Sequence, residues 1–331
     1  MDSRYKIIAK KLLKIKCFLE KSKYFFLLLF IAPRQGKIHK ILIARRYYMS
    51  INVRTDLASE ARRIAQGDAG EMTALQGVEA HEETLHGFGV TAVEILDDIG
   101  AQQLNKPVGK YFTLELPSFM DRGGENFAGA AEAVSELMRR CLPNSVGSAF
   151  IAALGNPDIT PDALGNLTAA YTLVTRHLMP LPGFESFCST ALCRTGVLGT
   201  TGMESAAQIR TLVRELKPDC LIVIDALAGA DPSRLCRTVQ VCDSGIAPGS
   251  GVGNDREPLN RDTLGIPVAA IGVPTVIDAS ALGGGDAVAG MFVTPRNIDS
   301  DVRRAGRLIA YGINLALHRD ITVADIDMLV G

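Results

Sequence analysis

Lysine is scarce over most of this chain. Beyond residue 48 there are only Lys106, Lys110 and Lys217. Of the 35 Lys and Arg residues, 13 lie within residues 1–48, where Asp2 and Glu20 are the sole acids. The remainder carries 22 basic residues against 34 acidic ones, so a net charge of −1 conceals a leader at +11 and a body at −12. An acidic body cannot neutralise a row of phosphates, which argues against nucleic-acid binding by the main domain. Long apolar runs are missing too. Tyr24–Ala32 in the leader is nine residues, against the roughly 20 needed to cross a bilayer. No membrane span is expected. No small-x-small cleavage site follows closely, as a signal peptide would require. The break in composition leads us to expect that residues 1–48 are an accessory extension, or are not translated at all, with Met49 the true start.

Other absences narrow the chemistry. Seven cysteines, Cys17, Cys141, Cys188, Cys193, Cys220, Cys236 and Cys242, form no C-x-x-C pair and stand mostly in apolar contexts. They read as reduced thiols of a cytoplasmic protein. The loop Ala247–Asn254 is glycine-rich but fits neither phosphate-binding fingerprint. Its Ser250 has glycine directly on both sides, so it is not the nucleophile elbow of the hydrolases. We read it as a loop packing closely over a site or a partner. His81 and His86 are five apart, whereas two zinc ligands on one helix face are spaced by four, and metal binding there is not expected.

What is present is alternation. Strand-like stretches at 88–96, 110–116, 149–154, 220–225, 238–242 and 267–273 are interspersed with helical patterns at 57–65, 127–141, 161–179, 204–216 and 300–317. Apolar strands separated by helices imply an α/β fold with a mostly parallel sheet covered on both faces. No repeat or low-complexity tract appears, and Gly283–Gly285 reads as a loop tip.

Two aspartates stand out. Leu221-Ile222-Val223-Ile224 runs straight into Asp225, placing a carboxylate at the carboxyl end of a buried strand, the edge where open α/β sheets bind ligands. Such a group is expensive to bury unless it has a task. Thr160-Pro161-Asp162 has the form of a helix start, with a capping Thr and Pro at the first position. Plain capping accounts for Asp162 equally well at this level.

The strings VRTDLASEA (53–61), GNPDITPDALG (155–165), LVTRHL (173–178), GVLGTTGMES (196–205), IVIDALA (222–228), SGIAPGSGVGN (244–254), LGIPVAAIGVPTVIDA (264–279), MFVTPRNID (291–299) and INLALH (313–318) together resemble the germination protease family of spore-forming Firmicutes. The resemblance spans nearly all of residues 50–331 and leaves 1–48 without a counterpart. It implies an endopeptidase that degrades small acid-soluble spore proteins. It implies a zymogen that removes a short propeptide, a homotetramer in the spore cytoplasm, and a fold similar to hydrogenase-maturation proteases. The family's functional aspartates match Asp162 and Asp225. Its substrate pattern, Thr-Glu-(apolar)-Ala-Ser-Glu, matches Thr55–Glu60 with Asp for Glu. The expected organisation is a basic extension 1–48, a propeptide 49–56 and one peptidase domain 57–331, with autoprocessing between Asp56 and Leu57.

Two carboxylates can share the work of hydrolysis if their environments separate their pKa values. Asp162, at a helix N-terminus, is expected to stay charged as the base. Asp225 is expected to hold the proton. No cofactor is expected, although a divalent metal on the same aspartates is a competing version. A catalytically inert binding module of the same fold is a further alternative. An acidic residue before the cut bond calls for a cation, and Arg176 is the candidate.

Overall fold

A computed structural model of the chain describes residues 55–69, 75–119, 121–253, 256–282, 288 and 290–330. The basic leader, Met49 and the Gly283–Gly285 break lie outside them. In chain order the elements are α1 (Ala58–Ala69), β1 (Val78–Leu85), β2 (Phe88–Ile95), α2 (Asp98–Leu104), β3 (Gly109–Glu115), α3 (Phe127–Cys141) and β4 (Ser148–Ala153). They continue with α4 (Leu164–Ala169), β5 (Ser189–Arg194), α5 (Leu198–Thr201), α6 (Ser205–Leu216), β6 (Cys220–Gly229) and β7 (Thr238–Cys242). The last are α7 (Arg261–Leu264), β8 (Val268–Asp278), β9 (Phe292–Val293), α8 (Ile298–Leu317) and α9 (Val323–Val330). Among the described residues no helix is long and apolar enough to cross a membrane.

The strands form one mixed sheet in the order β1-β2-β3-β7-β8-β6-β4-β5, with β9 pairing β8. β8, β6, β4 and β5 run parallel. β1, β2, β3 and β7 join them through antiparallel pairs. The expected parallel sheet is thus one half of the observed one. The other half begins with a hairpin whose register pairs Leu85 with Phe88. Its turn residues, His86 and Gly87, have φ of 49° and 86°. A two-residue turn with both φ positive matches the right-handed twist of the flanking strands. His81 therefore lies on β1 and His86 in the turn, where it faces Glu132 and Glu136 of α3.

Alternation along the central strands feeds two cores. On β6, Cys220, Ile222 and Ile224 face α3 and α8, whereas Leu221 and Val223 face the layer of α1, α2 and α6. On β8, Ala269, Ile271 and Val273 join the first core, and Val268 and Ala270 the second. Burial of both faces is the reason the central strands read as unbroken apolar runs. The second core ends abruptly. Two residues along from Tyr111, Cys242, Ala270 and Val223, the same face carries Thr113, Gln240, Gly272 and Asp225 on four neighbouring strands.

The expected helix over 161–179 is broken. A 3₁₀ turn, Thr160–Asp162, precedes α4, and a second, Arg176–Leu178, follows it. Between them the main chain is captured from outside. Asn314 of α8 accepts from Leu173 N–H at 2.9 Å and donates to the Tyr171 carbonyl at 2.9 Å. Thr175 N–H donates to the Thr190 carbonyl at 3.1 Å.

Candidate active site

Asp225 and Asp162 line one cavity of about 550 Å³, together with Asp56, Arg256 and Phe292. Asp225 continues the face of β6 that Leu221 and Val223 begin, and is buried. Its Oδ1 accepts from the N–H of Ala226 at 3.0 Å. Burial pushes its carboxyl well above the usual carboxylate range, and the charges of Asp162 and Asp56 push it further. Asp162 is half-buried, in the loop between β4 and α4. Gly155 brings it in. With φ of 94° and no side chain, Gly155 lies where an added Cβ would sit 1.9 Å from the Asp162 carbonyl oxygen. Asp162 Oδ2 accepts from Asn156 N–H at 2.8 Å. Burial raises its carboxyl, while the Asn156 N–H and the charge of Arg256 pull it back down.

Asp162 does not sit at the N-terminus of a long helix, as the sequence leads one to expect. It sits in a single 3₁₀ turn, too short to supply the summed dipole of a long helix. The forces opposing its protonation are one loop amide and Arg256, which is itself paired with Glu204 at 3.3 Å. Both carboxyls are raised, and Asp225 carries the larger burden.

The segment Thr55–Glu60 lies against this site, held at every residue. Asp56 N–H donates to the Ala228 carbonyl at 2.8 Å, and Ala228 N–H donates to Asp56 Oδ2 at 2.8 Å, so Asp56 is clamped beside the end of β6. Ser250 Oγ donates to Asp56 Oδ1 at 3.0 Å. At Gly251 an added Cβ would fall 2.1 Å from Asp56 Oδ2. The glycine-rich loop does pack over the site, and close approach to Asp56 is what its glycine permits. Leu57 is fully buried. Ser59 Oγ meets Thr113 Oγ1 at 3.1 Å and the Arg234 guanidinium at 2.8 Å. Buried Glu60 accepts from the Ala230 and Asp231 amides at 2.6 and 3.1 Å and from Thr55 Oγ1 at 2.5 Å.

Arg176 does not join them. It is exposed in the 3₁₀ turn after α4 and does not line the cavity. The cation near Asp56 is Lys106, whose Nζ donates to the Thr55 carbonyl at 2.8 Å. Burial holds the Lys106 ammonium below the usual lysine range, and Asp56 is the first charge opposing that shift. Lys106, Gln240, Ser250 and Arg256 were missed by sequence reasoning. The scarcity of lysine in the body was the one available signal, since it left three candidates. Among the described residues no group of three or more His, Cys, Asp and Glu side chains gathers in metal-binding proximity, and the six described cysteines are free.

Comparison with known proteins follows the same residues. A model of the germination protease family matches residues 55–292. A germination protease of Clostridium perfringens (strain SM101 / Type A) is 34% identical over 325 residues, covering 83% of this chain and 98% of that relative. One of Bacillus mycoides (strain KBAB4) is 40% identical over 268 residues, covering 79% and 70%. The crystal structure of a [NiFe] hydrogenase maturation protease, HycI from Thermococcus kodakarensis KOD1, aligns with 55% of this chain and 98% of its own. Its identity of 18% and TM-score of 0.33 are too slight to bear on the site. With a family match running from Thr55 into β9, and a relative matched over nearly its whole length, the chain belongs to the germination protease family.

Proposed function

We propose that this spore-germination peptidase matures by cutting its own Asp56–Leu57 bond, and that Asp162 and Asp225 carry the hydrolysis. The observation behind the proposal is that Asp56 lines the same cavity as both aspartates while its N–H is bonded to Ala228 of β6, the strand that carries Asp225. Asp225, pushed well up by burial, supplies the proton. Asp162, raised by burial but opposed in that by Asn156 and Arg256, takes one. A water gives its proton to Asp162 as its oxygen bonds to the Asp56 carbonyl carbon. The C–N bond then breaks as the Asp225 proton passes to the Leu57 nitrogen, and the proton on Asp162 returns to Asp225 through solvent. The two carboxyls titrate as a pair.

The substrates that fit this reading are small acid-soluble spore proteins. Their Thr-Glu-(apolar)-Ala-Ser-Glu pattern is matched by Thr55–Glu60 with Asp56 in place of Glu, and the hydrogen bonds described above fall on its polar positions. A homotetramer in the spore cytoplasm belongs to the same proposal and is read by light scattering. Incubating the full chain at neutral and mildly acid pH, followed by N-terminal sequencing, tests the cleavage. A product beginning at Leu57, made by the wild type and not by Asp225→Asn, supports the reading. A chain left intact by a folded wild type, or cut elsewhere, removes it.

A further inference from the structure

Gln240 is a buried amide in the middle of β7 whose polar atoms are both spent on the segment 55–60. Its Nε2 donates to the Asp56 carbonyl at 2.9 Å, and its Oε1 accepts from Ala58 N–H at 2.8 Å. The two contacts bracket one residue, Leu57, and the first falls on the carbonyl of the Asp56–Leu57 bond itself. We infer that Gln240 holds that bond in place for cleavage and polarises its carbonyl. The inference rests on Asp56–Leu57 being the bond that is cut.

Position in the sheet supports it. Gln240 on β7 pairs with Gly272 on β8, and Gly272 pairs with Asp225 on β6. Residues in one register row share a face of the sheet. Gln240 and Asp225 therefore stand on the same face with a glycine between them, two strand spacings or roughly 10 Å apart at the backbone. Gly272 cannot carry a side chain, because an added Cβ would fall 2.5 Å from the Asp225 carbonyl oxygen and 2.7 Å from Leu227 Cγ. Leu227 therefore packs over β8 in this row, with the amide on one side and the carboxyl on the other. The Asp56 carbonyl is approached from the Gln240 side. Asp56 is fixed from the other side by Ala228, on the strand that carries Asp225.

A neutral amide suits this position. It offers one donor to a carbonyl oxygen that gains negative charge as water adds, which is where a preorganised donor lowers a barrier. It also offers one acceptor to the N–H beyond the bond, which fixes which peptide unit lies against it. Both contacts are to main chain, so Gln240 selects position along the segment rather than its side chains. Thr113, next in the row, continues the grip at Ser59.

The test uses the full chain with Gln240→Met, which keeps length and approximate volume but has no amide, and with Gln240→Glu. The readout is the first-order rate of appearance of the Leu57 N-terminus across a pH series, with a thermal melt for each variant. Loss of one such donor slows reactions by about 10²–10³-fold. Gln240→Met should fall by about that factor at every pH. Gln240→Glu should be as slow while its carboxyl is ionised, then recover toward the wild type as falling pH restores an O–H donor in the amide's place. Wild-type rates in a folded Gln240→Met overturn the inference. So do a Gln240→Met chain that cannot fold, or variants that slow equally at all pH, since either makes Gln240 a structural brace for α1. A wild type that is not cut at Leu57 fails the cleavage reading instead, before any variant is compared.

Discussion

The two halves of the sheet divide the labour. The parallel half supplies the carboxyls: β6 carries Asp225, and the turn after β4 carries Asp162. The antiparallel half adds side-chain grips on Thr55–Glu60, with Gln240 on β7, Thr113 on β3 and Lys106 just before β3, to the main-chain bonds made by Ala228 of β6 and by Ala230 and Asp231 after it. Strands buried on both faces must be apolar throughout, so a polar residue at their ends stands out against the run. In the antiparallel half polar residues are scattered along every strand, and one that grips a peptide looks like one that faces water. A site assembled from both halves therefore shows only its parallel part to a reader of the sequence.

The comparison is broken most severely at Asp225. Asp225→Asn and Asp162→Asn should each slow maturation by about 10²–10⁴-fold, and the double variant should be little worse, because the two act as a unit. Stability should move the opposite way. A carboxyl whose folded pKa lies above its unfolded value of about 3.9 binds its proton more tightly when folded. Between that value and its raised one the folded state holds more protons, so stability falls as pH rises across the window. Asp225→Asn removes this penalty. It should melt higher than the wild type at neutral pH, and the two should converge below about pH 3.9. Melting curves over that range settle the sign: an Asp225→Asn chain that melts lower at neutral pH would show the carboxylate to be well satisfied where it is.

A second break lies where the two halves meet. Asp56 joins β6 through Ala228 and joins β7 through Gln240. Asp56→Lys replaces a carboxylate that accepts from Ala228 and Ser250 with a longer cation facing Lys106. Maturation at Leu57 should drop by more than tenfold while the Asp162–Asp225 pair stays intact. Unchanged processing at that bond, read by intact mass, would detach the segment from the site.

Legibility followed burial. The span 127–141 is α3 to the residue, and 238–242 is β7. An amphipathic helix and a short alternating strand announce themselves by periodicity. The strand 220–225 runs on to Gly229 and 267–273 to Asp278, as each forms its last contacts with the other. The helix drawn over 161–179 failed because Asn314, 141 residues away from Leu173, competes for its backbone. No local pattern reports such a partner. Asp225 was legible as a carboxylate ending an apolar run. Lys106 and Gln240 were not, since what marks them is the position of Asp56, which belongs to the fold.

A finer comparison sets Lys106 against Arg176. The sequence offers Arg176, on the parallel side, as the basic partner for an acidic residue before the cut bond, whereas Lys106, on the antiparallel side, is the cation that contacts Thr55. Lys106→Met should raise KM for a Glu-containing peptide by about tenfold, ~1.4 kcal/mol, with a much smaller change for the Gln analogue. Arg176→Ala should change neither. Steady-state kinetics on the peptide pair decides the matter, and a selective loss in Arg176→Ala would return the specificity role to Arg176.

The smallest effect is expected from removing residues 1–48. The charge contrast, +11 against −12, coincides with the start of family-like sequence just after Met49, and the family match itself begins at Thr55. The described contacts that hold Thr55–Glu60 come from residues 106–251. A basic leader and an acidic body attract, but charges farther apart than about 8 Å are largely screened at physiological ionic strength. A chain begun at Met49 should therefore melt within a degree or two of the full chain, as expected for a change of a few tenths of a kcal/mol. It should reach the same oligomer by light scattering and produce the Leu57 N-terminus at the same rate. The full chain should differ only in weak, salt-sensitive adhesion to anionic vesicles, because a basic segment with a nine-residue apolar run sits at an interface rather than crossing it. Failure of the shorter chain to fold, or a maturation rate that depends on residues 1–48, would make the leader a third working part of the site, beside the two halves of the sheet.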